Sequence, residues 1–329
     1  MLTIVLPVYN ESESILECLQ RLYGVLKNDE HEILVCYDFD EDTTLPILEK
    51  VKDKYPTMRL VKNAYGRGAA KAIKSGIEDA RGDIIVTTMA DLSDPPEIIP
   101  KMVEKIQKGA WVVSASRYIP GGSITGAPFL KEKLSMLAGL TLNLLTGIST
   151  RDVTNNFRAY KRELFEHIKV ESLHGFEIGL ELTVKAFRLG FSVSEVPSQW
   201  EERQHGETKF QLFKWLPFYL KWYLYGLMPT LLCISTALLL LLVNLSFSNT
   251  SLNIFLSLLL GFVFLFLRKR RIREQDVISV ILLMNPMIFI LENKIAWMGY
   301  TIGLCLVTFI AMYNIKLHKR LILGLNKDE

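Results

Sequence analysis

Cysteine is scarce and unpatterned in this chain: Cys18, Cys36, Cys233 and Cys305 share no C-x-x-C spacing, and the last two lie in long apolar runs. Neither a zinc site nor a disulfide framework is expected. Net charge is nearly absent too. A formal +3 over 329 residues, gathered in short basic clusters beside apolar runs instead of spread over one face, argues against a nucleic-acid partner. The opening MLTIVLPVYN carries no basic leader and its apolar stretch stops at Pro7, too short for the core of a signal peptide, so export of the first domain is not expected. One acidic stretch, Asp38-Phe39-Asp40-Glu41-Asp42 with Glu49 at the twelfth position, imitates a calcium loop. A strand instead of a helix precedes it and Thr43 takes the position that needs glycine, so that reading fails.

What is present divides the chain in two. A composition 50% apolar and 22% charged suits a soluble protein, yet the long uncharged runs all fall after Tyr223. Roughly the first 220 residues suffice for one α/β core, whereas the last hundred or so could not stay in water alone. A membrane-crossing helix needs about 20 residues, and four stretches come near that: 226–246, 252–267, 277–291 and 295–315. Lys209, Lys214 and Lys221 precede the first, RKRRIR at 268–273 separates the second and third, and Lys316, Lys319 and Arg320 follow the fourth. The turn NLSFSNTSLN has no basic residue and the turn near Glu292 only Lys294, so every strongly basic loop falls on one side, the cytosolic one. The organisation expected is a cytosolic α/β domain at 1–208, an interfacial amphipathic segment at 209–225 and a transmembrane domain at 226–329 with a cytosolic C-terminus. In the middle segment Phe, Trp and Tyr alternate with Lys, which suits a helix lying at the lipid surface or a simple lead-in to the first span.

Within the first part, short β-branched runs at Leu2–Leu6, Glu32–Tyr37, Met58–Lys62, Asp83–Thr88 and Trp111–Ala115 alternate with helical stretches near 13–27, 43–54, 68–80 and 95–108. Such alternation predicts a mostly parallel, doubly wound sheet whose ligand sits outside the carboxyl ends of the strands. The residues just after each strand are therefore the ones to inspect. After the first, Asn10 or Ser12 suits a helix cap, but Glu11 has no such explanation. After the second, Asp42 reads as an acid at a helix start, and Asp38 as an acceptor for a base edge or a ribose hydroxyl. After the fourth, Asp94, Pro95 and Glu97 have the spacing of a capping box. That leaves Asp91 for a diphosphate and a hard divalent cation, Mg²⁺ or Mn²⁺.

At these points the chain resembles the dolichol phosphate mannose synthase-like family of inverting GT-A glycosyltransferases, over nearly all of the first 210 residues. The family's P-x-Y-N-E stands as Pro7 to Glu11, its second-strand acids as Asp38 and Asp42, and its glycine-bearing helix start as Gly66-Arg67-Gly68-Ala69. S-R-Y-x-x-G-G stands as Ser116 to Gly122, and D-x-T-x-x-F-R-A-Y as Asp152 to Tyr160. E-V-P is Glu195 to Pro197, followed by Arg203, Gly206, Thr208 and Lys209. The resemblance implies a GT-A, Rossmann-like α/β catalytic domain followed by an α-helical transmembrane bundle. It implies a nucleotide-sugar, of GDP-mannose or UDP-glucose type, held by Pro7, Tyr9, Asn10, Glu11, Asp38, Ala90 and Asp91. It also implies a polyprenyl phosphate acceptor among membrane lipids, and inversion at the sugar. Where the family usually has Asp-x-Asp, this chain has Met89-Ala90-Asp91; with Asp91 and Ser93 as protein ligands, a metal would be held mainly by diphosphate and water, and a weaker or altered metal dependence is expected.

Sugar transfer from a nucleoside diphosphate requires the charge growing on the leaving group to be offset, and Asp91 with its metal, Arg117, Arg203 and Lys209 are the candidates. Arginine offers phosphate a planar fork, lysine a point charge; Arg203 and Lys209 also suit a patch that holds anionic lipid. A phosphate acceptor is already ionised, so no general base is needed, and none is obvious; His174 and His205 lie near the motifs without a clear role. A hydroxyl acceptor would need a base such as Glu181 or Asp94. A processive synthase is disfavoured because no Q-x-x-R-W occurs, and Arg117, Arg203 and Lys209 argue against a non-catalytic scaffold.

Overall fold

The computed structural model describes residues 1–203 and 212–245, with side chains in the last helix described as far as Leu231. In chain order the elements are β1 (Leu2–Pro7), α1 (Ile15–Leu26), β2 (His31–Tyr37), α2 (Leu45–Val51), β3 (Met58–Lys62), α3 (Ala69–Asp79), β4 (Ile84–Thr87), α4 (Ile99–Gln107), β5 (Val112–Ser116), β6 (Ser123–Thr125), α5 (Phe129–Thr146), β7 (Arg158–Lys161), α6 (Leu164–His167), α7 (Ile178–Arg188), β8 (Val193–Pro197), β9 (Gln199–Glu201) and α8 (Leu212–Leu245).

Every residue of β1 is buried, as expected of a strand covered on both faces, and its β-branched residues fit that place. It lies inside a seven-stranded sheet of order β3-β2-β1-β4-β7-β5-β8, parallel except for β7, which runs antiparallel to β4 and β5. The strand order turns back between β1 and β4, opening a crevice at their carboxyl ends. Helix α1 buries Ile15, Cys18, Leu19, Leu22 and Leu26, the i, i+3, i+4, i+7 stripe of a helix laid on a sheet. Each such side chain contributes about 1.5–3 kcal/mol by leaving water.

Two local expectations change. Neither Asn10 nor Ser12 caps α1, which begins after Ser14; Asn10 Oδ1 accepts from the Thr43 N–H instead and ties the loop after β1 to the loop after β2. The capping box also dissolves: a 3-10 turn at Pro96–Ile98 precedes α4, Glu97 pairs with Arg21 at 2.8 Å, and Asp94 turns inward to Asn155. Tertiary partners outcompeted the local cap.

β7 is stitched in place by Arg158, whose buried guanidinium donates to the carbonyls of Asn155 and Asp152, both at 2.7 Å, and to the hydroxyls of Ser114 and Thr183. Lys185 is fully buried and donates to Glu171, Glu181 and the Lys169 carbonyl.

The chain forms two compact units, one of residues 1–144 with 148–223, the other including Leu145–Gly147 and α8 from Leu224 on. In the second, Thr230 Oγ1 donates to the Leu145 carbonyl at 2.9 Å. In the first, the described aromatics of 213–223 are not all aligned toward one surface. Trp222 is buried and donates Nε1–H to Ser172, Phe218 stacks on His174 at 4.0 Å, and Trp215 meets Phe176 edge-on. Phe213, Leu216 and Leu220 remain exposed. Among the described residues no helix is long and apolar enough to cross a membrane. The stretches expected to span at 252–267, 277–291 and 295–315 lie outside the described residues, and 226–246 coincides with the end of α8.

Candidate active site

A cavity of about 520 Å³ opens at the carboxyl ends of β1, β2, β4 and β5 and is walled on its far side by α5 and the start of α8. Pro7, Tyr9, Asp38 and Arg67 line one end. Asp38 accepts from Asn63 Nδ2 at 2.7 Å and from the Gly68 N–H at 2.9 Å, which fixes its carboxylate yet leaves lone pairs for a ligand. Gly68 reaches this position with φ +140°, which a side chain would resist. Tyr9 meets Phe39 edge-on at 5.4 Å, and the Arg67 guanidinium sits 4.4 Å from the centre of the Phe39 ring. Tyr9 and Arg67, each packed against Phe39, give the cavity an aromatic and cationic lining suited to a nucleobase or its ribose.

The centre is the turn after β4. Leu92 holds φ 61°, an uncommon value for a bulky residue, and this turns Asp91 and Ser93 into the cavity. Asp91 Oδ1 accepts from the Ser93 N–H at 3.1 Å, and Oδ2 from Arg203 Nη2 at 2.6 Å. The same guanidinium lies 3.7 Å from Glu11 Oε1. Strand-end residues from opposite ends of the domain thus converge on one charged triad. Ala90, expected to contact donor, instead buries its methyl in the core, and Asn10 serves the loop contact described above. Lys209 and His205 lie outside the described residues.

Arg117 also reaches the cavity but is heavily engaged. Its Nε and Nη2 form a fork with both oxygens of the fully buried Asp152, at 2.6 and 2.9 Å, and Nη2 also donates to Thr154 and Ser135. Burial alone would raise the Asp152 carboxyl, but the Arg117 charge and hydrogen bonds outweigh it and hold the group below its usual range. With so many donors committed, Arg117 anchors the Asp152 loop to α5 and lends the cavity positive potential.

Among the lining residues, Lys131 escaped the sequence reading. Lys131, on α5, stands 5.7 Å from the Trp200 ring, and burial lowers its ammonium. Nothing in its local sequence separates it from the solvent lysines around it. Asp94 is buried, accepting from Asn155 Nδ2 at 3.0 Å. Burial pushes its carboxyl up to about 7, further than Asn155 and Arg117 pull it back. An unfolded aspartate titrates near ~3.9, so the stability associated with protonated Asp94 is complete below that value and is lost as pH rises through about 7. Asp94→Asn is expected to melt near wild type at about pH 4 and to be more stable at about pH 8, by on the order of 2–4 kcal/mol. Superimposable pH–stability curves for the two proteins would refute the buried acid.

An open, mostly parallel sheet with a polar crevice at its switch point, acidic turns after β2 and β4 and cations facing them, is the GT-A form of the Rossmann-like fold. Residues 3–169 match the family described as Glycosyl transferase family 2, and the chain belongs to it. A dolichol-phosphate mannosyltransferase of Pyrococcus furiosus is 30% identical over 213 residues, covering 64% of this chain and 59% of that one. The chain thus spans less than two thirds of that relative's length. A polyprenol monophosphomannose synthase of Mycolicibacterium smegmatis is 30% identical over 213 residues, covering 63% of this chain and 79% of that one. Among solved structures, glucosyl-3-phosphoglycerate synthase from Mycobacterium tuberculosis, in complex with Mn²⁺, UDP-glucose and phosphoglyceric acid, superposes with TM-score 0.51 at 17% identity, covering 69% of this chain and 79% of that one.

The residues present here do not fit a tightly held divalent ion. Met89 offers a soft thioether where the family usually has a carboxylate, and Asp91 Oδ2 is already paired with the Arg203 cation. Among the described residues no group of three or more His, Cys, Asp or Glu is arranged to hold a metal.

Proposed function

We propose that this chain transfers a monosaccharide from a nucleotide-sugar to a polyprenyl phosphate at the cytosolic face of a membrane, with inversion at the anomeric carbon. The observation that carries this reading is the composition of the cavity along its length. Asp38, Tyr9 and Arg67 line the strand-end side, suited to the nucleoside, and Asp91 with Arg203 lies beside them, suited to the diphosphate. Lys131 and Ser135 of α5 stand opposite, where an acceptor phosphate can approach.

The outer face of α5 supports a lipid acceptor. Phe129, Leu130, Leu137, Leu140 and Leu144 are all exposed on this helix, whose only buried positions are Gly139 and Leu142. An apolar stripe of this length is costly in water and favourable in a headgroup layer. Exposed Phe213, Leu216 and Leu220 on α8 add to the same tendency. A multi-pass membrane attachment beyond α8, with the basic loops cytosolic, accords with the apolar runs and charge placement in the sequence.

An acceptor phosphate attacks as an anion, so the chain's work is to bring two anions together, offset their charge and exclude water. Lys131 and Arg203 both line the cavity where this would happen. A hydroxyl acceptor is the competing reading, and Asp94, in the cavity with its carboxyl near neutrality, is the group that could serve it. Glu181 cannot, since its oxygens accept from the Glu171 and Ser172 N–H groups and from Lys185.

The test uses detergent-solubilised full chain with both Mg²⁺ and Mn²⁺ present, a panel of labelled nucleotide-sugars, and either polyprenyl phosphate or the free polyprenol. Label is expected in the organic phase with the phosphate alone and from one donor. Label with the free alcohol would favour the hydroxyl reading, and no label with any donor would remove the transferase assignment.

A further inference from the structure

We infer that Arg203 is the cation this chain places on the donor diphosphate in lieu of a divalent metal, so that donor binding does not depend on Mg²⁺ or Mn²⁺. The inference rests on the nucleotide-sugar reading above and concerns how that ligand is held.

Three features of the site converge on it. The first is the donor set after β4. A hard divalent ion seeks several oxygen ligands, and in the turn after β4 Met89 stands on the cavity wall in place of a carboxylate, beside Asp91, Ser93 and Asp94. The second is occupancy. Asp91 Oδ2 already holds Arg203 Nη2 at 2.6 Å and Oδ1 the Ser93 N–H at 3.1 Å, so an ion placed there would meet a fixed positive charge at close range. The third is the arrangement of Arg203 itself. Asp91 and Glu11, with side chains 8% and 16% exposed, flank its guanidinium, which is 21% exposed and lines the cavity. A guanidinium has five N–H donors, and among the described residues only one hydrogen bond, to Asp91, is drawn from it. Nη1 faces Glu11 at 3.7 Å, and beyond the Asp91 bond the guanidinium makes no hydrogen bond among the described residues, so it suits phosphate oxygens in the planar geometry of an arginine fork.

Charge points the same way. Relative to a chain with aspartate at 89, methionine makes the site less negative by one charge, so less positive charge is required to accept a diphosphate. Asp91 then acts as a positioning residue that holds the guanidinium, not as a metal ligand.

The experiment measures binding of fluorescent UDP and GDP to the full chain in detergent, in excess EDTA and in excess Mn²⁺, with Mn²⁺ paramagnetic resonance recorded in parallel. One nucleotide is expected to bind with affinities that agree within about threefold in EDTA and Mn²⁺, with no protein-dependent Mn²⁺ signal beyond that of the nucleotide alone. Arg203→Ala should weaken it roughly 10- to 100-fold in both buffers, the worth of a charge-assisted hydrogen bond, and Arg203→Lys should recover part of this. Met89→Asp, with Arg203→Ala, should make binding respond to Mn²⁺. A wild type that binds tenfold or more tightly with Mn²⁺ than in EDTA, or an Arg203→Ala protein with unchanged affinity in EDTA, overturns the inference while the nucleotide reading stands. Failure of both nucleotides to bind in either buffer overturns the two together.

Discussion

Replacement of Arg117 by methionine is expected to lower the stability of the first unit by roughly 3–5 kcal/mol, the cost of leaving a buried carboxylate without its partner. Asp152 is fully buried and receives the Arg117 backbone N–H, Nε and Nη2, along with the N–H groups of Thr154 and Asn155. With the guanidinium gone, burial would raise the Asp152 carboxyl, so the defect should shrink toward acidic pH, where that group can be neutral in both folded and unfolded chains. A second substitution, Asp152→Asn, should recover part of the loss, because the charge that needed the partner is then absent. The measurement is a thermal melt in detergent at several pH values for wild type, single and double variants. If Arg117→Met melts within a degree of wild type at neutral pH, the pair is not structural and Arg117 is freer to act on the diphosphate than its hydrogen bonds imply.

Gly139→Ala is the second large effect, and it should separate the two sides of the cavity. A β-carbon at Gly139 would lie 1.9 Å from the Arg151 carbonyl oxygen and 2.7 Å from its carbon. Both are backbone, held in turn by Glu195, which accepts the Arg151 N–H at 2.8 Å, so neither can yield. Helix α5 must move instead, at a cost of about 1–3 kcal/mol or more. It carries Lys131, Leu134, Ser135 and Ala138, all on the cavity wall, and a displacement of about 1 Å at a reacting centre can cost on the order of 100-fold in rate. Sugar transfer should therefore fall roughly 100-fold while UDP or GDP binding, proposed above for the ends of β1, β2 and β4, changes little. Wild-type transfer by this variant would mean that α5 does not place the acceptor.

The strands and the residues just beyond them were legible in the sequence because they rest on local signals. β-branched runs, period-3.6 stripes and polar strand ends each depend on neighbours a few residues away, and β1, β2 and β4 with Asp38 and Asp91 follow from them. The capping box after β4 failed for the converse reason. Asp94 had a local partner in Glu97, but Asn155, 61 positions on, took it inward, while Arg21, 76 positions back, took Glu97. Lys131 carried no local mark because its meaning comes from Trp200 and the cavity, and the apolar face of α5 passed unnoticed among the other helical stripes.

By itself the sequence determined which atoms are available: a parallel α/β sheet with acids after its second and fourth strands, a missing carboxylate at Met89, and arginines in the family's positions. Composition and periodicity suffice for that because they report on burial and on backbone preference, which are short-range. Only the tertiary structure decided what those charges do to one another. Arg117 and Asp152 lie 35 residues apart and Arg203 and Asp91 lie 112 apart, yet each pair meets within hydrogen-bond distance. A charge acquires its role from the opposite charge that folding brings beside it in a low-dielectric cavity, and no spacing along the chain records that encounter.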